Sequence, residues 1–167
     1  MLVYLDSSAI VKRYIEEIGS ESVDLLYSSL ELEQETDNLL VFSSWNLGEV
    51  FGAIDTRHQR RDIDEKSMND ALDLFYRETR KFATMRKLEV RPMGARVLSK
   101  SRELVLKYHI YQADAVQLAS AKQAGAQLFV SADRKLLDCA KLERLAVANP
   151  ERDLGAIQNA ITAEKTQ

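Results

Sequence analysis

Cysteine is almost absent from this sequence. Cys139 stands alone among 167 residues, so no internal disulfide can form, and its apolar helical context predicts a small buried hydrophobe without chemistry of its own. Histidine is nearly as scarce, and His58 and His109 have no spacing that suggests a zinc site. The glycines Gly19, Gly48, Gly52, Gly94, Gly125 and Gly155 nowhere form a phosphate-cradling loop, which excludes nucleotide hydrolysis of the P-loop kind. No Gly-x-Ser-x-Gly supports a serine hydrolase. Apolar runs fall far short of the ~20 residues that cross a bilayer, and Met1-Leu2-Val3-Tyr4 lacks the basic start of a signal peptide. No membrane association and a cytoplasmic location are therefore expected.

What is present is a globular composition, with 46% hydrophobic and 29% charged residues, enough to bury one core. The net charge of −3 hides an uneven distribution. Residues 1–56 carry 2 basic and 11 acidic side chains, residues 57–107 carry 14 and 8, and residues 108–167 carry 7 of each. The middle third is the one stretch basic enough to be a nucleic-acid footprint, although a solvated face of long helices explains the same composition.

Strands and helices alternate along the chain. Leu2 to Leu5 is a strand running into Asp6, and Ser8 to Glu17 reads as a helix that Gly19 ends. Val23, Leu26, Tyr27 and Leu30 share one face of the next helix, and the acidic run Glu31 to Asp37 is its exposed end or a loop. Leu39 to Phe42 is a buried strand, followed by a helix from Ser44 to about Arg60 with Leu47, Val50, Phe51 and Ile54 on one face. Gly48 and Gly52, four apart, are expected to let another element approach closely. After Asp62-Ile63-Asp64 a long helix runs to about Lys87, with Met68, Ala71, Leu72, Phe75 and Phe82 inward and a basic opposite face. Leu88 to Val90 is a short extended segment before Pro92, and Ala95 to Tyr108 a helix through Val97, Leu98, Leu104 and Val105. Another helix spans Tyr111 to Ala124 with Gly125 as its C-cap. Gln127 to Val130 is a strand, Arg134 to Leu142 a helix, Leu145 to Ala148 the last strand, and the residues after Pro150 read as polar and peripheral. This alternation predicts an α/β fold, a parallel sheet with helices on both faces.

Asp6, Asp114 and Asp133 each stand where the chain turns into a helix, and Glu49 lies on the helix after the second strand. Singly, each aspartate is explained as a helix cap. Together they fall near one edge of a parallel sheet, where ligands bind in open α/β folds. Carboxylates ~4 Å apart repel by about 4 kcal/mol per pair at an effective dielectric of 20, so such a cluster calls for a cation. Oxygen ligands without His or Cys favour Mg²⁺ or Mn²⁺. An aspartyl-nucleophile phosphatase would need a second aspartate where Ser8 stands. Lys12, Arg13, Arg134 and Lys135 lie close in sequence to the acids and either steer a nucleic-acid backbone or face solvent.

The segments Leu5-Asp6-Ser7-Ser8-Ala9-Ile10-Val11-Lys12, Ala113-Asp114-Ala115-Val116-Gln117-Leu118-Ala119-Ser120-Ala121 and Val130-Ser131-Ala132-Asp133-Arg134-Lys135-Leu136, with Glu49 in a helix between them, resemble the PIN domain of VapC-type toxins. The resemblance spans Leu2 to Pro150. It implies an α/β/α fold over residues 1–150, with a helical insertion at about 60–92 and a peripheral segment at 151–167. It further implies a Mg²⁺-dependent endoribonuclease, the toxin of a type II toxin–antitoxin pair, with Asp6, Glu49, Asp114 and Asp133 as catalytic metal ligands. Ser8 and Ser131 match hydroxyls that orient those carboxylates. A homodimer, an RNA substrate and a cognate antitoxin inserting at the acidic pocket are the implied partners. The acidic stretch and the basic insertion depart from the family pattern. A non-catalytic RNA- or protein-binding module of the same fold, or a nuclease of RNA processing or of DNA, remains the competing reading.

Overall fold

Each apolar run expected to be a strand is one in the computed structural model, which describes residues 1–32 and 38–162. In chain order the elements are β1 Leu2–Leu5, α1 Ser7–Val11, α2 Ser20–Leu32, β2 Leu39–Ser43, α3 Ser44–Gln59, α4 Glu65–Thr84, β3 Leu88–Arg91, α5 Ala95–Tyr108, α6 Gln112–Ala124, β4 Leu128–Val130, α7 Arg134–Leu142, β5 Ala146–Ala148 and α8 Leu154–Thr162. The strands form one sheet in the order β3-β2-β1-β4-β5, every pairing parallel. With Leu5 opposite Val130 and Tyr4 opposite Val41, the ends of β1, β2 and β4 come out on one edge.

Both faces of this sheet are buried, which is why its strands read as continuous apolar runs. Val3, Leu5, Phe42 and Val130 point to one side, where Ile10, Val23, Ile54 and Phe82 cover them. Tyr4, Val41 and Phe129 point to the other, against Val97, Leu104, Val116 and Leu136. Cys139 is buried on that second side. Helix starts follow the sequence signals. Asp6, Ser43, Asp64 and Asp133 each cap the helix that follows with a side-chain oxygen. Gly125 ends α6 in the left-handed region at φ 74°.

Several expectations change. The first helix stops at Val11 rather than Glu17, because the next residues tighten into turn-type bonds, Arg13 N–H to Ile10 and Tyr14 N–H to Val11. Gly48 and Gly52 have open space where a Cβ would stand, so neither serves close packing. Within the stretch 60–92, expected as a helical insertion, α4 buries Ala71, Phe75 and Phe82 in the core, and β3 pairs with β2 as an edge strand. The segment after Pro150 is not peripheral. Ile157 and Ile161, four apart, put one face of α8 into the core beside α2. Of the acidic run Glu31 to Asp37, Glu31 closes α2 and pairs with Lys81 at 2.5 Å, and residues 33–37 lie outside the described residues.

Gly19 is the one glycine whose missing side chain is required twice over. Its φ is +93°, and a Cβ there would stand 2.9 Å from the Pro150 carbonyl carbon. Gly19→Ala is expected to cost about 1–3 kcal/mol through backbone strain and displacement of the Pro150 turn. A variant melting within a degree of the parent would contradict this.

Candidate active site

Asp6 is pinned at the end of the central strand. Its Oδ1 accepts from the Ser8 hydroxyl at 2.7 Å and the Ala9 N–H at 2.9 Å, and its Oδ2 from the Ser131 hydroxyl at 2.6 Å. The same two serines receive the neighbouring turn: Ala132 N–H donates to Ser8 Oγ at 2.9 Å and Asp133 N–H to Ser131 Oγ at 3.0 Å. The β1–α1 and β4–α7 turns are thereby tied together through Asp6. Burial pushes its carboxyl up to about 6; the three hydrogen bonds oppose this, and the charge of Glu49 adds to it.

Glu49, from the second turn of α3, accepts from the Ser7 hydroxyl at 2.5 Å and from the Gln117 amide of α6. Asp114 lies in the first turn of α6, half-buried, and its pKa is raised by burial and then by the charges of Asp133 and Glu49. Asp133 is exposed at the mouth while capping α7 through Leu136 N–H at 3.0 Å. The four acids thus come from four different places in the chain, with the Glu49 charge acting on Asp6 and the charges of Asp133 and Glu49 acting on Asp114. Among the described residues, no three acidic, His or Cys side chains stand close enough to hold an ion. The donor chemistry itself, carboxylates only, fits a hard divalent cation.

Beneath Glu49 lies a polar network that sequence reading missed. The Tyr4 hydroxyl donates toward Asn46 Oδ1 at 3.0 Å and Gln117 Oε1 at 2.7 Å, and burial raises its pKa so that it stays protonated. Asn46 Nδ2 donates to Gln117 Oε1 at 2.8 Å and to Ser7 Oγ at 3.1 Å. Two signals were in the sequence: Gln117 follows Asp114 by three residues, hence on the same helix face, and Asn46 stands three after the Ser43 cap.

The four basic residues near the acids divide. Lys12 is 4% exposed, and its ammonium donates to Glu17 at 3.0 Å, the Ile18 carbonyl at 2.8 Å and Glu151 at 2.8 Å. Arg13 grips Glu78 with two bonds, pairs with Asp24 at 2.7 Å and lies over the Tyr27 ring. Their charge is matched by carboxylates of the fold itself. Arg134 and Lys135 are exposed on the first turn of α7, and the Lys135 charge acts on Asp114. The basic middle third does not surround the acids as a block. The end of α4 with Lys81 and Arg86 leads into the start of β3, at the sheet edge opposite Asp6. Arg57 is an exception, lining a cavity of about 550 Å³ with Ser7, Ser8, Glu49 and Glu17, and it pairs with Glu17.

Lys12→Met leaves Glu151 without its lysine partner and Glu17 with Arg57 alone. Both are partly exposed, so the expected loss is about 2 kcal/mol, or roughly 6 °C in melting temperature. Unchanged melting would contradict this.

Comparison with known proteins bears on this geometry. The family model described as PIN domain matches residues 3–142. No curated protein matches the chain. Among solved structures, FitAB bound to an IR36 DNA fragment is similar at 20% identity and a TM-score of 0.62, over 90% of this chain and 96% of that one. VapBC2 from Rickettsia felis, bound to a DNA fragment from its promoter, is similar at 19% identity and a TM-score of 0.59, over 89% and 98%. VapC20 from Mycobacterium tuberculosis, a sarcin–ricin loop cleaving toxin, is similar at 14% identity and a TM-score of 0.55, over 76% and 86%.

Proposed function

Because this chain belongs to the PIN-domain family, whose members are generally nucleases, we propose that it is a metal-dependent endoribonuclease and the toxin of a type II toxin–antitoxin pair. The observation that carries this reading is Asp6, a carboxylate buried at the end of the central strand, oriented by Ser8 and Ser131, and set within reach of the Glu49 charge. A side chain needed only as a cap would not require burial beside a second acid.

Mg²⁺ or Mn²⁺, which binds through one or two carboxylates and keeps several of its waters, would be held among Asp6, Glu49 and Asp114, with Asp133 acting through water. Such an ion supplies Lewis acidity toward a phosphodiester and its attacking water. The chain's own part is orientation and charge. Ser8 and Ser131 fix the Asp6 oxygens, so that no reorganisation is needed when charge develops. Asp133, exposed at the start of α7, would orient the attacking water. Arg134 and Lys135 stand beside it and would draw in the RNA backbone.

The partners are an RNA substrate, a second copy in a homodimer and a cognate antitoxin. VapC20, which cleaves the sarcin–ricin loop, supports RNA as substrate, and the two-component FitAB and VapBC2 complexes support an antitoxin. Titrating Mg²⁺ and Mn²⁺ while following the melting temperature tests the metal requirement. An ion bound only by the folded state stabilises it by about 2.7 kcal/mol at a hundredfold excess over its dissociation constant. Absence of any shift, together with no cleavage in Mn²⁺, would favour a non-catalytic binding module.

A further inference from the structure

We propose that Gln117, together with Ser7, is a positioning residue that sets the Glu49 carboxylate for the divalent cation, an inference that rests on the proposed function. Gln117 is 3% exposed, and its amide is committed at every valence. Oε1 accepts from the Tyr4 hydroxyl at 2.7 Å and from Asn46 Nδ2 at 2.8 Å, while Nε2 donates to Ser7 Oγ at 2.9 Å and to Glu49 Oε2. With two donors facing its oxygen, the amide can present only its NH₂ group to Glu49. Ser7 is arranged in the same sense. Its oxygen accepts from Gln117 and from Asn46, so its single hydrogen goes to Glu49, at 2.5 Å.

The chemical type of these donors decides what they are for. A buried lysine or arginine beside Glu49 would orient it but also cancel its charge and compete with a cation. An amide and a hydroxyl orient a carboxylate and leave its full charge available to an ion. The network also links the elements that carry the acids. Tyr4 lies two residues before Asp6, Asn46 three before Glu49 and Gln117 three after Asp114, so the spacing of three acidic positions is fixed through one buried cluster.

The test is Mn²⁺ affinity of the purified full chain, measured by calorimetry on protein shown by circular dichroism to be folded. The parent is expected to bind Mn²⁺ saturably and Glu49→Gln to lose that binding. Gln117→Met and Ser7→Ala are each expected to weaken it by about 10- to 100-fold, the range for residues that orient a metal ligand. Ser7→Thr, which keeps the hydroxyl, should bind within about threefold of the parent. Lys122→Met, which breaks the α6–α7 pair with Glu143, should lower the melting temperature without moving the affinity, separating positioning from stability. Parent-like affinity in either folded variant, Gln117→Met or Ser7→Ala, overturns the inference; should Gln117→Met not fold, Ser7→Ala decides alone. A parent that binds no Mn²⁺ overturns the ion site itself, and this inference with it.

Discussion

Asp6→Asn is expected to reduce RNA cleavage by more than about 100-fold while leaving the protein folded and, without metal, more stable. The lower bound follows from the fact that residues merely supporting a metal ligand already cost 10- to 100-fold. The gain in stability follows from burial. The Asp6 carboxyl titrates at about 6 in the fold, against 3.8 unperturbed, so the folded state holds its proton more tightly than the unfolded one. A raised carboxyl pKa makes stability fall as pH rises from about 4 to about 6 and then level off, by about 3 kcal/mol at about 1.4 kcal/mol per pKa unit. Asparagine keeps the cap to Ala9 but has no charge to bury, so this fall should vanish in the variant. Melting followed from pH 4 to 8 without divalent ions reads it directly. An Asp6→Asn protein with parental cleavage, or with the parental loss of stability across that range, would contradict the assignment.

Phe82→Ala is expected to have the largest effect on stability. The ring is fully buried between α4 and the sheet, edge-on to Tyr27 at a centroid distance of 5.4 Å. Emptying such a site costs about 3–5 kcal/mol, which for a chain of this size lowers the melting temperature by roughly 10 °C. The same measurement decides the status of the stretch 60–92. If α4 were an appendage on a complete domain, removing Phe82 would loosen the helix locally and leave the main unfolding transition in place. A single transition shifted as a whole is the expected outcome, because Phe75 and Phe82 lie in one core with Val3, Leu5 and Ile54.

The strands were legible because both sheet faces are buried, so Leu39 to Phe42 and Leu128 to Val130 stand out as uninterrupted apolar runs. The three aspartates were legible for a related reason: Asp6 and Asp133 cap the helix that follows, and Asp114 stands in the first turn of α6, where an acid faces the positive helix end. Partner choice was not. Lys12 and Arg13 look like free cations beside Asp6, yet two of their acceptors, Glu151 and Glu78, are brought to them only by tertiary folding. Glu49 could be placed by its helix alone, but the hydroxyl and the amide that hold it come from α1 and α6, and polar pairing across elements leaves no period in a sequence. For α8 the signal was present in Ile157 and Ile161, and the polar residues around them obscured it.

Incubating the purified protein with end-labelled single-stranded RNA, in Mg²⁺ and in excess chelator, beside Asp6→Asn, tests most directly whether these acids make a hydrolytic site. Discrete cleavage products in Mg²⁺ that disappear with chelator and with the variant are predicted. Equal cleavage in all three reactions, or none in the parent with either Mg²⁺ or Mn²⁺, would contradict it.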